Sequence, residues 1–218
     1  MPQAPAGTGP RPRRRTVLAA ALAPLAAAGC SAEEPAPAPV HGPAGAPRDA
    51  MVMLIRHAEQ PYPGDTGEDA DGNEDPGFLA GRGLRRAEEL PGLFTAARGS
   101  SRLPRPAALF AAGGAGAPAR CRLTVEPLAA ALHIPVRTPY AVGAEAALAR
   151  AALAAPQPVL LCWEHHGVPR LVRALGADRL PGVPAAWPDR HDVVWAFTRR
   201  SGRWTFREVP QHLLSGDA

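Results

Sequence analysis

Three short, uninterrupted apolar runs, separated by stretches of helical periodicity, constrain this chain more than any other feature of its sequence. The runs occupy residues 51–55, 107–112 and 159–163, and turn-forming or charged residues bound each of them. Runs of this kind are typical of strands that are buried on both faces of a sheet. The chain therefore needs other elements on each side of that sheet.

The segments between the runs supply those elements. Apolar residues recur at helical spacing in residues 84–97, 119–132, 145–153 and 168–175. Near the end, residues 192–198 and 204–209 are joined through Ser201-Gly202 and indicate a closing hairpin. Strands that alternate with helices, followed by a hairpin, predict an α/β fold: a three-layer α/β/α sandwich with a mixed, mostly parallel central sheet.

The chain divides into three parts by composition. Residues 50–218 carry the runs and the helical patterns and are enough for one hydrophobic core. Residues 31–49 are mostly Pro, Ala and Gly, with little to bury, and are typical of a disordered tether. Residues 1–30 contain a basic head, an apolar run and then small residues before Cys30, in the order of a secretion signal.

Details of the signal predict an exported lipoprotein. Arg14-Arg15 resembles a twin-arginine signal, and Ala27-Ala28-Gly29-Cys30 resembles a lipobox, whose Cys is lipidated after cleavage. The apolar run is too short to cross a bilayer as a helix. We therefore expect an exported protein, held at the extracytoplasmic side of the cell membrane only by lipid on Cys30. A disordered N-terminus without a signal is the alternative.

Charge argues against nucleic acid as a partner. The formal net charge of +4 comes from the arginines that precede Glu33, the first acidic residue. The remainder is balanced and holds no Lys, which disfavours binding to a phosphate backbone. Cys121 and Cys162, the cysteines beyond the signal, are expected to be free and buried rather than bridged.

Polar residues follow each apolar run, at the strand ends where open α/β sheets bind their ligands. Arg56-His57 follows the first run. Arg120 lies in the first turn of the helix after the second run, and His165-His166 follows the third. Guanidinium groups and helix N-termini bind phosphate oxygens, and imidazoles donate to phosphate or attack phosphorus. The strand ends therefore predict an anion site suited to a phosphoryl group.

The same segments resemble a known family. LIRHAE, ARCRLTVEPLA and LLCWEHHGVPRLVRAL, in that order, are similar to the histidine phosphatase superfamily, also called phosphoglycerate mutase-like, over residues 52–197. The resemblance implies a metal-independent phosphomonoester hydrolase without a cofactor, in which His57 is the nucleophile and becomes a phosphohistidine. Arg56, Arg120 and His165 would bind the phosphoryl group together with His57, and Thr124 follows Arg120 at the family's spacing.

The resemblance also implies a proton donor for the leaving group. Glu145, at a helix start beyond Arg120, is the candidate for this role, and Glu59 and Asp65 are alternatives. Ala58 stands after His57 where Gly is commonest in the family.

Other functions stay open at the level of the sequence. Gly116-Ala117-Pro118 stands where the family usually has Ser-Pro-Leu, and no Asn follows shortly after Glu59, so a non-catalytic phosphate-binding lipoprotein is an alternative. A phosphomutase, or a metal-dependent hydrolase using His57, Glu59, His165 and His166, is less favoured. The sequence specifies neither the oligomeric state nor the substrate, which is a small molecule or a protein.

Overall fold

A computed structural model describes residues 48–69, 71–94, 103–115 and 117–218 of the chain. Within them, six strands form one sheet in the order β3-β2-β4-β1-β5-β6. The strands are β1 (Ala50–Arg56), β2 (Ala108–Ala111), β3 (Val136–Arg137), β4 (Val159–Trp163), β5 (Val193–Arg200) and β6 (Arg203–Pro210). The predicted secretion signal, the tether and Cys30 lie outside the described residues.

The three apolar runs become β1, β2 and β4, the adjoining strands of the sheet. Every residue of β2 and β4 is buried, as an apolar run covered on both faces requires. β3, which the sequence analysis did not predict, contributes only two residues to one edge of the sheet. Such a short strand leaves almost no periodic signal in a sequence.

In the same described ranges, the other segments form five helices. They are α1 (Gly81–Glu89), α2 (Pro91–Phe94), α3 (Arg120–Leu132), α4 (Glu145–Ala154) and α5 (Val168–Leu175). The prediction of one helix over residues 84–97 was wrong in its bounds, because α1 begins earlier and a break at Leu90 separates it from α2. Pro91 explains the break, since proline has no N–H to donate back into a continuing helix.

The helices form two groups. α1 and α2 pack against α3, whereas α4 packs against α5. The connections from β1 to β2 and from β2 to β3 run toward one edge of the sheet, and the connection from β3 to β4 runs the other way. Right-handed crossovers therefore put the two groups on opposite faces. The fold is the predicted α/β sandwich.

The sheet is mixed, as predicted. β1 pairs in parallel with β4, and β4 with β2, whereas β5 runs antiparallel to β1 and to β6. The turn of the closing hairpin uses Ser201 and Gly202, both at positive φ, 47° and 77°. Two successive residues in the left-handed region match the twist of a two-residue hairpin turn.

The core and the cysteines agree with the sequence. Trp163, Trp195, Phe197 and Met53 are among the largest fully buried side chains, and they belong to the three strands β4, β5 and β1. Cys121 and Cys162 are buried and free, as predicted. None of the helices in the described ranges has the length and apolar character needed to cross a membrane.

Candidate active site

The register between β1 and β4 brings two parts of the site together. Arg56 pairs with Trp163, so the residues that follow them, His57 and Glu164, leave adjacent parallel strands side by side. The chain goes from β1 to a helix on one face of the sheet and from β4 to a helix on the other. A crevice opens at the carboxyl ends of strands whose connections diverge in this way.

His57 is fully buried, and its ring is oriented by its own backbone. Nδ1 lies 2.7 Å from the carbonyl oxygen of Ala58. Because a carbonyl only accepts, Nδ1 carries a proton and donates it. Nε2 is therefore the nitrogen that is free to react, and it faces the carboxylate of Glu164, with Oε2 at 3.3 Å.

His191 holds the backbone of His57 from the other side. Its Nδ1 lies 2.7 Å from the carbonyl oxygen of His57, and the centres of the two imidazole rings are 5.6 Å apart. Burial, aided by the charge of Arg56, lowers the pKa of His191 to about 4. The ring is neutral near pH 7 and donates from Nδ1 to the carbonyl oxygen.

Arg56 is the last residue of β1, and its side chain is 6% exposed. Its Nη1 donates to Oδ1 of Asp189 at 3.2 Å, but Asp189 is fully exposed. A pair with one partner in solvent contributes little stability. An incoming oxyanion can therefore compete with Asp189 for this guanidinium at small cost.

Arg120 begins α3, and Thr124 fixes that end of the helix. The Thr124 hydroxyl donates to the Arg120 carbonyl oxygen at 2.7 Å and accepts the backbone N–H of Ala58 at 2.8 Å. The four-residue spacing thus ties the start of α3 to the residue after His57. Arg120 Nη1 donates to the carbonyl oxygen of Pro76 at 2.8 Å. Arg122, the other arginine in this turn, pairs with Glu126 on the exposed surface.

His165 is the fourth residue that the sequence predicted to bind phosphate. Its ring lies against that of the exposed His166, with centres 3.7 Å apart. Burial, followed by the positive charge of Arg56, lowers the pKa of His165. The charge of Arg56, at the end of β1, therefore acts on His165, in the turn that follows β4.

Four residues share a property that the rest of the described chain lacks. Each has a buried side-chain nitrogen that makes no hydrogen bond: Arg56 Nε, His57 Nε2, Arg120 Nε and His165 Nδ1. For His57 Nε2 the nearby group is the Glu164 carboxylate, at the ion-pair distance of 3.3 Å. Burying a polar group without a partner is costly, so such groups are rare and call for an explanation. These residues are the four that the sequence predicted to bind phosphate. A bound oxyanion would satisfy donors of this kind.

Glu145, the predicted proton donor, is placed in a structural contact. Its carboxylate accepts hydrogen bonds from Arg170, from Trp163 Nε1 at 3.3 Å and from the backbone N–H of Gly143. Burial opposes ionisation, but Arg170 and Gly143 outweigh it and lower the pKa of Glu145. The backbone of Gly167 closes over it, because an added Cβ there would lie 2.7 Å from Oε1. These donors occupy both oxygens of the Glu145 carboxylate, so neither oxygen is available to pass a proton to a leaving group.

The two alternative donors are also engaged. Glu59 receives hydrogen bonds from Arg86 and Arg82, and despite burial the pairing with Arg86 lowers its pKa. Asp65 accepts the backbone N–H groups of Gly81 and Arg82 at the start of α1, which lowers its pKa as well. Both carboxylates shape the loop between β1 and α1.

Glu164 is the residue that the sequence analysis did not single out. Of the residues that follow β4, the sequence predicted a role for His165 and none for the neighbouring Glu164. The available signal was its position, directly after a buried strand and in line with His57. Its interaction with the His57 imidazole, the largest cause, lowers the pKa of Glu164.

Three of these side chains could also hold a metal ion. One ligand atom each from His57, Glu164 and His165 lies within 4.8 Å of the others. Zinc is bound by imidazole nitrogen and carboxylate oxygen. This set differs from the set considered from the sequence, because Glu164 takes the place of Glu59 and the exposed His166 is not included.

The comparisons with known proteins find solved structures only. No protein-family model and no curated protein matches the chain. The SixA protein from Agrobacterium tumefaciens is 22% identical, with a TM-score of 0.48 over 73% of this chain and 97% of that one. A phosphoserine phosphatase from Entamoeba histolytica, with 3-phosphoglyceric acid, is 13% identical, with a TM-score of 0.45 over 76% of this chain and 100% of that one.

A mycobacterial glucosyl-3-phosphoglycerate phosphatase in complex with VO3 matches at 13% identity, with a TM-score of 0.44 over 72% of this chain and 96% of that one. All three of these neighbours carry the name of a phosphatase.

Proposed function

We propose that the chain is a phosphomonoester hydrolase of the histidine phosphatase type, which acts through a phosphohistidine at His57. The observation that carries the proposal is the set of four buried nitrogens that make no hydrogen bond, one each on Arg56, His57, Arg120 and His165. Nitrogens on two guanidiniums and on the His165 imidazole suit a phosphoryl group, which offers several acceptor oxygens, and Nε2 of His57 would attack its phosphorus.

The chemistry follows from the orientation of His57. With Nδ1 donating to Ala58, the lone pair of Nε2 attacks phosphorus and the alcohol leaves. Water then attacks the phosphorus of the phosphohistidine, the P–N bond breaks and inorganic phosphate is released. Arg56, Arg120 and His165 stabilise the charge on the phosphoryl oxygens in both steps.

Rapid-quench labelling tests the nucleophile. The purified domain is mixed with a ³²P-labelled aryl phosphate and quenched within milliseconds. We expect label that is stable to base and labile to acid, as a phosphoramidate is, and no label in His57→Ala. His133→Ala, a change at a histidine beyond the candidate site, is the matched control and should label normally. Equal turnover by His57→Ala would overturn the assignment.

A metal-dependent hydrolase is the second candidate, because ligand atoms of His57, Glu164 and His165 approach one another. Incubation with EDTA separates the two mechanisms. A phosphohistidine enzyme keeps its activity after EDTA and gel filtration, whereas a metal hydrolase loses it and regains it with Zn²⁺ or Mn²⁺. Phosphate binding without turnover or label would instead support a binding protein, and transfer of phosphate to a second substrate would support a mutase.

Export and lipid attachment are part of the proposal and rest on the N-terminal sequence alone. Expression with a radiolabelled fatty acid in a bacterial host tests them. Label should appear in the membrane fraction and be lost in Cys30→Ser. Unlabelled, cytosolic protein from the unchanged sequence would count against the anchor.

A further inference from the structure

The contact between His57 and Glu164 is suited to proton transfer. Nδ1 of His57 donates to the Ala58 carbonyl oxygen, so the opposite nitrogen, Nε2, faces Oε2 of Glu164 at 3.3 Å. At that distance a proton can pass directly from the imidazole to the carboxylate. Glu164 is therefore placed to accept a proton that Nε2 carries.

We propose that Glu164 is a catalytic residue, which takes the proton from Nε2 of His57 and passes it to the leaving oxygen of the substrate. This inference rests on the proposed phosphohistidine mechanism. It replaces Glu145, Glu59 and Asp65 in that role, since arginine side chains or backbone N–H groups hold those three carboxylates.

The surroundings of Glu164 fit a group that exchanges protons. In the described part of the chain its other partner is the thiol of Cys121, 4.0 Å from Oε1, and no arginine forms an ion pair with it. Its side chain is 20% exposed, whereas that of His57 is fully buried. Glu164 is therefore the solvent-accessible member of the pair, and its carboxyl group can exchange a proton with a leaving group or with water.

The proton balance closes over the two steps. In the first, the Nε2 proton moves to Glu164, the N–P bond forms, the P–O bond to the alcohol breaks, and the departing oxygen takes the proton from the Glu164 carboxyl group. In the second, the Glu164 carboxylate removes a proton from water, the hydroxide oxygen bonds to phosphorus, and the P–N bond breaks. The proton then returns to Nε2, so the enzyme regains its starting state.

Glu164→Gln tests the step with two substrates that differ in their need for a proton. Dinitrophenolate leaves 2,4-dinitrophenyl phosphate without needing a proton, whereas the alkoxide of an alkyl phosphate must be protonated as it leaves. We expect the variant to lose about 10²–10⁴-fold in turnover of the alkyl ester. With the dinitrophenyl ester it should give a prompt burst of one equivalent of dinitrophenolate and then stall as the phosphohistidine, because activation of water also fails.

Controls separate this inference from the proposed function. Glu145→Gln, the same change at the donor predicted from the sequence, should keep the ratio of the two turnover rates, and Glu164→Asp should restore part of the alkyl-ester activity. Alkyl-ester turnover by Glu164→Gln at the rate of the unchanged protein, or a folded variant without a burst, would overturn the role of Glu164. Absence of phosphohistidine in the unchanged protein would instead overturn the proposed function.

Discussion

The hydroxyl of Thr124 accepts a 2.8 Å hydrogen bond from the backbone N–H of Ala58, the residue that follows the candidate nucleophile. The same hydroxyl donates to the carbonyl oxygen of Arg120. One buried side chain thus connects the end of β1 to the start of α3, and it fixes His57 and Arg120 relative to each other. Correct placement of both groups against one phosphoryl group depends on this connection.

Thr124→Val is expected to weaken both stability and catalysis. Valine has a similar shape but leaves the buried N–H of Ala58 without an acceptor, which costs about 1–3 kcal/mol in the free energy of unfolding. Urea unfolding measures that loss, and steady-state kinetics with an aryl phosphate measures kcat. Thr124→Ser keeps the hydroxyl and should lie close to the unchanged protein. Equal values for Val and Ser would show that the hydroxyl has no role.

Arg120→Lys is expected to weaken phosphate binding by about 10–100-fold, because a point charge replaces a guanidinium that can hold two oxygens. Isothermal titration with inorganic phosphate or vanadate gives the affinity directly. Arg122→Lys, two positions along the same helix, is the matched control and should change nothing, since Arg122 pairs with Glu126 in solvent. A larger loss of affinity in Arg122→Lys than in Arg120→Lys would show that Arg122, and not Arg120, binds phosphate.

Arg86→Leu is expected to destabilise the domain by about 3–5 kcal/mol. The Arg86 side chain is 3% exposed and pairs with Glu59 and Asp217, whose carboxylates would lose their buried cation. Although burial opposes it, hydrogen bonds from these two carboxylates raise the pKa of Arg86, so the guanidinium is always charged. Denaturant titration should show that Arg85→Leu, at the exposed neighbouring position, changes the free energy of unfolding by less than about 0.5 kcal/mol.

Stability is expected to fall between pH 6.5 and pH 4 because of His191. The ring has a pKa of about 4 in the folded protein, below its ordinary value of 6.5, so the unfolded chain binds a proton more readily over that interval. The folded state therefore has its full advantage above pH 6.5 and loses it as pH falls through 4. The free energy of unfolding, measured at several pH values, gives the slope.

His191→Gln is the matched variant for this measurement, because its amide can still donate to the His57 carbonyl oxygen but does not titrate. Its pH dependence should be flatter than that of the unchanged protein. Some slope should persist, since the pKa of His165 is lowered too. If the free energy of unfolding depends on pH equally in the two proteins, His191 does not cause the loss of stability at low pH.

The sequence predicted the parts of the fold that depend on buried apolar runs. β1, β2 and β4 were recognisable because a strand covered on both faces admits almost no polar residue. The bounds of α1 and α2 were not recognisable, because they depend on the break at Pro91. The existence of β3 was not recognisable either, because it depends on pairing with β2. Whether a segment forms a helix or a strand depends largely on its own residues. Whether a short segment joins the edge of a sheet depends on the strand beside it.

The candidate site could be located from the sequence in part. Arg56, His57, Arg120 and His165 follow strands or start a helix, and the resemblance to a family singled them out as predictions. The proposed proton donor could not be singled out, because Glu145 and Glu164 differ in what surrounds them and not in their chemistry. Arg170 engages one, and His57 faces the other. Only the register of β1 against β4 distinguishes the two carboxylates.

Asp217 stabilises a loop outside its own segment of the chain. Its side chain is 2% exposed and receives Arg86, Arg82 and the backbone N–H groups of Leu213 and Leu214. Because Arg86 also pairs with Glu59, two residues beyond His57, Asp217 is connected through Arg86 to the loop between β1 and α1. Loss of the Asp217 carboxylate would therefore loosen the loop between β1 and α1, although the two segments are remote from each other in the sequence.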